Sequence, residues 1–214
     1  MNSFVRRFVK VTGFLPAQVL FKRKTYYTTK KAKEQNLRGG CLIVSNHKKL
    51  MDFPLWMFTF PGTTIYFLAA EVLYNKSALM ANFLDGIGGV RVDRDVYDMS
   101  FIAESEEILA KGNSLLIFPE GQLPKNRELG KFHPSAVYIA LRSGAPIVPV
   151  VTDGVYGIDK QTSVLIGEKF YISDYCNETN PSPKKIEELN GILRDIIQKM
   201  TVQLDEMKKR NAKK

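Results

Sequence analysis

The stretch Cys41-Leu-Ile-Val-Ser45-Asn46-His47-Lys-Lys-Leu-Met-Asp52-Phe-Pro54 decides how the rest of the chain is read. Its first half is a short apolar run behind Gly39 and Gly40, the pattern of a buried strand. Its second half places Asp52 ahead of Phe53 and Pro54, where a helix starts well: aspartate suits a helix N-terminus, and proline suits a first turn that needs no N–H. Strand, polar turn and helix in immediate succession make the repeating unit of an α/β sheet.

Working outward, the same reading gives further strands over 64–70, 89–94, 114–118, 146–151 and 164–172. Helices are expected over 98–111, stopped by Gly112, over 134–142, ending before Gly144, and over 183–211, where Ile186, Leu189, Leu193, Ile196, Met200, Leu204 and Met207 recur three or four apart. The expected fold is therefore α/β: a mixed, mostly parallel sheet flanked by helices, with active groups on loops at strand ends. We expect one domain over 31–214, joined through a basic connection at 30–40 to a distinct N-terminal segment, 1–30.

That segment mixes Phe4, Val5, Phe8, Val11, Phe14, Leu15, Val19, Leu20 and Phe21 with Arg6, Arg7, Lys10, Lys22, Arg23 and Lys24. An amphipathic, membrane-associating helix or helix pair uses this mixture, apolar groups in the acyl region and cations at anionic headgroups. The alternative is a helix docked on the domain's own core. Pro16 and Gln18 interrupt the apolar stretch, so no signal peptide is read, and the stretch is short of the roughly 20 apolar residues that a spanning helix needs.

The 31 Lys and Arg against 22 Asp and Glu, a formal charge of +9, suit an anionic partner: a phospholipid surface, a phosphorylated substrate or a nucleic acid. The cations are scattered and concentrate at the termini without a nucleic-acid-reading motif, which argues against the last of these. Cys41 and Cys176 stand in unrelated surroundings, so neither a disulfide framework nor a metal cluster is indicated, and a reduced, cytoplasmic setting follows.

With only two histidines in the chain, the search for a neutral-pH general base narrows to His47 and His133. His47 follows a strand and has a carboxylate, Asp52, five residues on, able to hold the imidazole as a base or simply to cap the next helix. His133, in Gly-Lys-Phe-His-Pro-Ser, stands at a helix start and reads as structural or as a phosphate-side contact. Three more segments stand out. Ser114 to Gly121 is an apolar strand ending in Phe118-Pro119-Glu120-Gly121, a polar turn or a site. The run from Gly88 to Arg94 ends a strand in a guanidinium able to grip a phosphate or to pair with Asp93 or Asp95. Pro146-Ile-Val-Pro149-Val-Val is core, and the apolar side chains between Phe53 and Phe67 either line an apolar groove or, for most of them, pack the core.

In this order and at these intervals the segments resemble the glycerolipid acyltransferase family, the lysophosphatidic acid acyltransferases in particular. The matches are Asn46, His47 and Asp52 to its Asn-His-x-x-x-x-Asp motif, Gly89 and Arg94 to Gly-x-x-x-x-Arg, Phe118 to Gly121 to Phe-Pro-Glu-Gly, and Val148 and Pro149 to its apolar Val-Pro motif. They fall between 42 and 151, about half of the chain. The resemblance implies a glycerol-3-phosphate acyltransferase-like sheet and transfer of a fatty acyl group from acyl-CoA or acyl carrier protein to the sn-2 hydroxyl of 1-acyl-glycerol-3-phosphate, giving phosphatidic acid. It implies His47 as base oriented by Asp52, Arg94, Glu120, Gly121 and Asn46 on the acceptor, and no metal or bound cofactor. The partners it implies are lysophosphatidic acid, the acyl donor and a membrane surface, with the protein peripheral or monotopic on the cytoplasmic face. Lys49 stands where many members have serine, and Gln122-Leu123 where many have Thr-Arg, with Lys125, Arg127 and Lys131 close by to replace the lost cation. These departures bear on the acceptor more than on the reaction, and the alternative acceptor is another lysophospholipid or an acylated amino-acid lipid.

Overall fold

The computed structural model describes residues 3–93, 100–124, 128–176, 178 and 180–212. In chain order the elements are α1 (Ser3–Phe21), β1 (Lys24–Tyr27), α2 (Lys30–Glu34), β2 (Leu42–Ser45), α3 (Asp52–Thr59), β3 (Ile65–Ala70), α4 (Glu71–Tyr74), α5 (Ala78–Ile87), β4 (Gly89–Val92), α6 (Ser100–Ala110), β5 (Ser114–Ile117), α7 (Ser135–Ser143), β6 (Ile147–Thr152), β7 (Ser163–Ile166), a 3-10 turn (Ile172–Tyr175) and α8 (Pro183–Ala212). The strands form one seven-stranded sheet in the order β1-β7-β6-β2-β5-β3-β4, parallel throughout except where β6 meets β7. The mixed, mostly parallel α/β fold expected from the sequence is the fold found.

Strands β2, β5, β6 and β7 are buried along their whole length, because both faces of the sheet are covered. On one face Leu42, Val44, Leu115 and Ile147 pack against α6, α7 and α8 through Ile102, Ile139, Leu189 and Leu193. On the other, Ile43, Leu116 and Val148 meet α1, α3 and α5 through Phe21, Trp56 and Ile87. The apolar side chains Leu55 to Phe58 are core, as read from the sequence.

Two expectations need correction. The strand read over 164–172 stops at Ile166: Gly167 still donates its N–H to Pro149 O at 2.8 Å, and the chain then leaves the sheet, meets it at an Ile147–Phe170 bridge, and turns into the 3-10 segment. The basic N-terminal stretch is not helical throughout. Lys24–Tyr27 forms the edge strand β1, in parallel register with β7 from Lys24↔Ser163 to Tyr27↔Ile166, because Thr25, Tyr26 and Tyr27 are strand formers beside an otherwise open edge. Before it, α1 runs as a single helix through Pro16, held by Ala17 and Phe21, which are buried against the sheet.

The topology fixes where a site belongs. The chain leaves β2 toward β3 on one side and leaves β5 toward β6 on the other, so the carboxyl ends of β2 and β5 lie where the order of the strands reverses. In open α/β sheets that divergence opens the ligand crevice.

Candidate active site

His47 sits in the turn just past β2, and the polypeptide returns immediately as α3, whose first residue is Asp52. The Asp52 carboxylate is fully buried and reaches back across the turn. Its Oδ2 lies 2.8 Å from His47 Nδ1 and accepts the backbone N–H groups of Lys48 at 2.5 Å and Lys49 at 2.8 Å. The carboxylate holds the imidazole and orders the turn ahead of α3, but it does not cap that helix, of which Asp52 is the first residue. Facing a carboxylate, Nδ1 carries the proton, and Nε2 is left with a lone pair for a substrate. The His47 side chain is 16% exposed, so the ring has an open edge.

The turn after β5 supplies the opposite wall. Phe118 stacks on the His47 ring with centroids 4.2 Å apart and planes 17° from parallel. Glu120, expected on the acceptor, is 5% exposed and both of its oxygens are engaged: Oε1 accepts the His47 N–H at 2.7 Å and Oε2 the Gly130 N–H at 2.9 Å. The side chain therefore braces the β2 turn against the β5 turn. Gly121 follows at φ +69°, and a Cβ there would meet His133 Cδ2 at 2.9 Å, so glycine is required by both conformation and space. His133 packs on this Pro-Glu-Gly turn, its backbone N–H donating to Pro119 O at 2.8 Å. A groove of about 470 Å³ opens beside it, with Glu120, Gln122, Lys131, His133 and Glu187 in its wall.

Asn46, also expected on the acceptor, is fully buried and exchanges a pair of hydrogen bonds with the Thr152 backbone, its Nδ2 donating to the carbonyl and its Oδ1 accepting the N–H, both at 2.9 Å. It ties the end of β2 to the end of β6 and so fixes the start of the His47 turn. Behind it Trp56 Nε1 donates to Ser45 Oγ at 2.9 Å. Arg94, with Lys125 and Arg127, lies outside the described residues. Of the six expected site residues, the structure brings His47, Asp52 and Glu120 into direct contact, sets Asn46 and Gly121 as supports around them, and leaves Arg94 undescribed.

One residue at the site has no counterpart in the sequence reading. Tyr156, in the loop after β6, donates its hydroxyl to Asp52 Oδ1 in a short hydrogen bond. It is 104 positions from Asp52, and nothing in Asp153-Gly154-Val155-Tyr156 distinguishes a site tyrosine from a loop tyrosine. Burial first, and then the charge of Asp52, drive the Tyr156 phenol far above its ordinary range, so it stays a neutral donor. Gly154 belongs to the same arrangement: at φ +68° it leaves room for Lys48, whose Cβ would lie 2.6 Å from any Cβ added there.

A histidine held by a buried carboxylate at the switch point of an α/β sheet is equipped for general-base chemistry on a substrate entering from the strand ends. The Acyltransferase family model matches residues 23–153, well over half of the chain, and the chain belongs to that family. It is 30% identical over 112 residues to the 1-acyl-sn-glycerol-3-phosphate acyltransferase beta of Homo sapiens, a match covering 52% of this chain and 40% of that protein. It is likewise 30% identical over 132 residues to the 1-acyl-sn-glycerol-3-phosphate acyltransferase of Cocos nucifera, covering 58% of this chain and 41% of that one. The aligned stretch thus spans about two fifths of these relatives' length. The crystal structure of the 1-acyl-sn-glycerophosphate (LPA) acyltransferase of Thermotoga maritima shares the fold, with a TM-score of 0.62 at 21% identity over 95% of this chain and 78% of that one.

Proposed function

We propose that the chain transfers a fatty acyl group from a thioester, acyl-CoA or acyl carrier protein, to the free sn-2 hydroxyl of 1-acyl-glycerol-3-phosphate at a membrane surface. The observation that carries this reading is the His47–Asp52 pair, 2.8 Å apart at the carboxyl end of β2, in a chain whose relatives bear the names given above. In this reaction His47 Nε2 takes the proton of the acceptor hydroxyl as its oxygen attacks the thioester carbonyl, and Asp52 stabilises the imidazolium that forms. The tetrahedral intermediate then collapses. The C–S bond breaks, and the departing thiolate takes the proton back from His47, leaving the base ready for another cycle. The thiolate is a good leaving group, so His47 need not form an acyl-enzyme. By its place in the Gly-x-x-x-x-Arg motif, Arg94 is assigned to the acceptor phosphate.

A lipid-facing side is supported by α1 and α5. Phe4, Val11 and Leu15 of α1 are 72%, 71% and 73% exposed, and Leu79 of α5 is 81% exposed, while the opposite side of α1 packs on α3 and α5. Exposed large apolar side chains spaced along one helix in this way mark an interaction face. Among the described residues no helix is long and apolar enough to cross a membrane, which agrees with a reading in which the protein lies on the bilayer.

The test is transfer of labelled acyl groups from each donor to lysophosphatidic acid in vesicles, with other lysophospholipids and acylated amino-acid lipids as competing acceptors. Labelled phosphatidic acid as the main product is the expected result. Preferential acylation of another acceptor overturns the substrate assignment but keeps the reaction, and no product with any donor and acceptor overturns both.

A further inference from the structure

Asp52 presents two oxygens, and the structure uses them unequally. Oδ2 takes three donors: His47 Nδ1 and the backbone N–H groups of Lys48 and Lys49. Oδ1 takes the Tyr156 hydroxyl. We propose that Tyr156 is a positioning residue for the His47–Asp52 pair, fixing the carboxylate so that Oδ2 faces the imidazole and drawing off part of the negative charge that His47 would otherwise meet. The proposal rests on the reading of His47 as the base.

The tyrosine is itself held on three sides. Its ring meets Phe21 edge-on, with centroids 5.5 Å apart. The next residue, Gly157, donates its N–H to Leu20 O at 3.1 Å, and the Thr162 hydroxyl donates to Val155 O at 2.6 Å. The last turn of α1 therefore anchors the 153–162 loop, and the loop presents the hydroxyl. A donor fixed in this way adds direction as well as energy, since hydrogen bonds to a charged acceptor are about twice as strong as neutral ones. Because the phenol stays protonated, the bond persists over the whole range in which a histidine titrates.

The charged and titratable groups around the pair come from several elements. Lys48 and Lys49 stand in the turn itself, with Lys49 Nζ 5.7 Å from the centroid of the Tyr156 ring. Glu120 meets the His47 backbone from the β5 turn. Asp153, at the start of the Tyr156 loop, is paired with Lys208 of α8 at 2.7 Å. Glu120 and Asp153 cannot replace a lost donor at Oδ1, because carboxylates are acceptors and both are already engaged.

Removing the hydroxyl returns charge to Asp52, so the His47 imidazolium is held more firmly and His47 titrates at higher pH. It also frees the carboxylate to turn, which lowers turnover. Both effects are read in Tyr156→Phe, which keeps the ring that packs on Phe21. With two histidines in the chain, the imidazole NMR signals are assigned by comparison with His133→Gln. The expected result is a His47 NMR titration curve displaced to higher pH in the variant than in the native chain. The acid limb of the kcat/KM profile should move with it, and kcat should fall about tenfold at unchanged KM.

A merely structural tyrosine lowers the melting temperature and leaves the midpoint where it is, and that result overturns the proposal. A raised midpoint in a protein that forms no product supports the positioning role and removes the acyl-transfer reading instead. If the phenylalanine variant does not fold, Tyr156→Met fills the same space without a donor and carries the same test.

Discussion

The turns after β2 and β5 have similar parts and different work. Each follows a fully buried strand, each lies at the carboxyl edge of the sheet, and each is associated with one of the two histidines. In the β2 turn the imidazole Nδ1 meets a buried carboxylate and the ring keeps an open edge. In the β5 turn the histidine ring packs over Gly121 and its backbone closes the turn on Pro119. The β5 turn instead contributes the brace, since Glu120 reaches across to the His47 N–H. What sets His47 apart as the proposed base is thus the buried carboxylate at its Nδ1, not its place at a strand end.

The largest effect that sharpens this comparison is on Asp52. Asp52→Asn keeps the shape but turns one charged acceptor site into a donor facing N–H groups, so turnover should fall by roughly 10²–10⁴-fold. The lost charge-assisted bonds should also lower stability by about 1.5–3 kcal/mol, measured by urea unfolding. Next comes Glu120→Gln. Its amide can satisfy only one of the two backbone N–H groups, so it should cost about 1–3 kcal/mol in stability and roughly 10–100-fold in kcat as the His47 backbone shifts, with KM for the acceptor nearly unchanged. A large rise in acceptor KM at constant kcat would restore Glu120 to the substrate-binding role expected from the sequence.

Gly121→Ala is smaller, and acts through conformation and the contact with His133. About 1–2 kcal/mol is expected, a fall of roughly 2–8 °C in melting temperature by calorimetry. The smallest effect is in alkali. The Tyr156 phenol is held protonated in the fold, so its contribution to stability is present in full below about pH 10, where an unfolded tyrosine begins to ionise, and is lost as the pH rises further. The fall in unfolding free energy above about pH 10 should therefore be shallower in Tyr156→Phe.

What the sequence made legible follows the range of the interactions. Strand, turn and helix around His47 are local, so the run from Leu42 to Pro54 announced both the buried strand and the Asp52 helix start. The apolar cores of β2, β5 and β6 were equally plain, because strands covered on both faces need unbroken apolar runs. The edge strand β1 was hidden, since its Lys-Thr-Tyr-Tyr is too short and too polar to stand out until β7 offers it a partner. The motifs put Glu120 and Asn46 on the substrate, whereas in the structure both bond to neighbouring backbone, since a motif marks a position and cannot tell a ligand contact from a bond to a neighbouring turn. Tyr156 was invisible for the same physical reason in stronger form: its meaning lies in Asp52, which only the fold brings beside it.

The central claim is that His47, and not His133, is the base for acyl transfer. The measurement that tests it most directly is a single comparison of initial rates for the native chain, His47→Ala and His133→Ala, with one acyl donor and lysophosphatidic acid in the same vesicles and with folding checked by melting temperature. The account predicts a loss of about 10²–10⁴-fold or more in His47→Ala and turnover of the native order in His133→Ala. Full activity in a folded His47→Ala, or its disappearance in a folded His133→Ala, would contradict it.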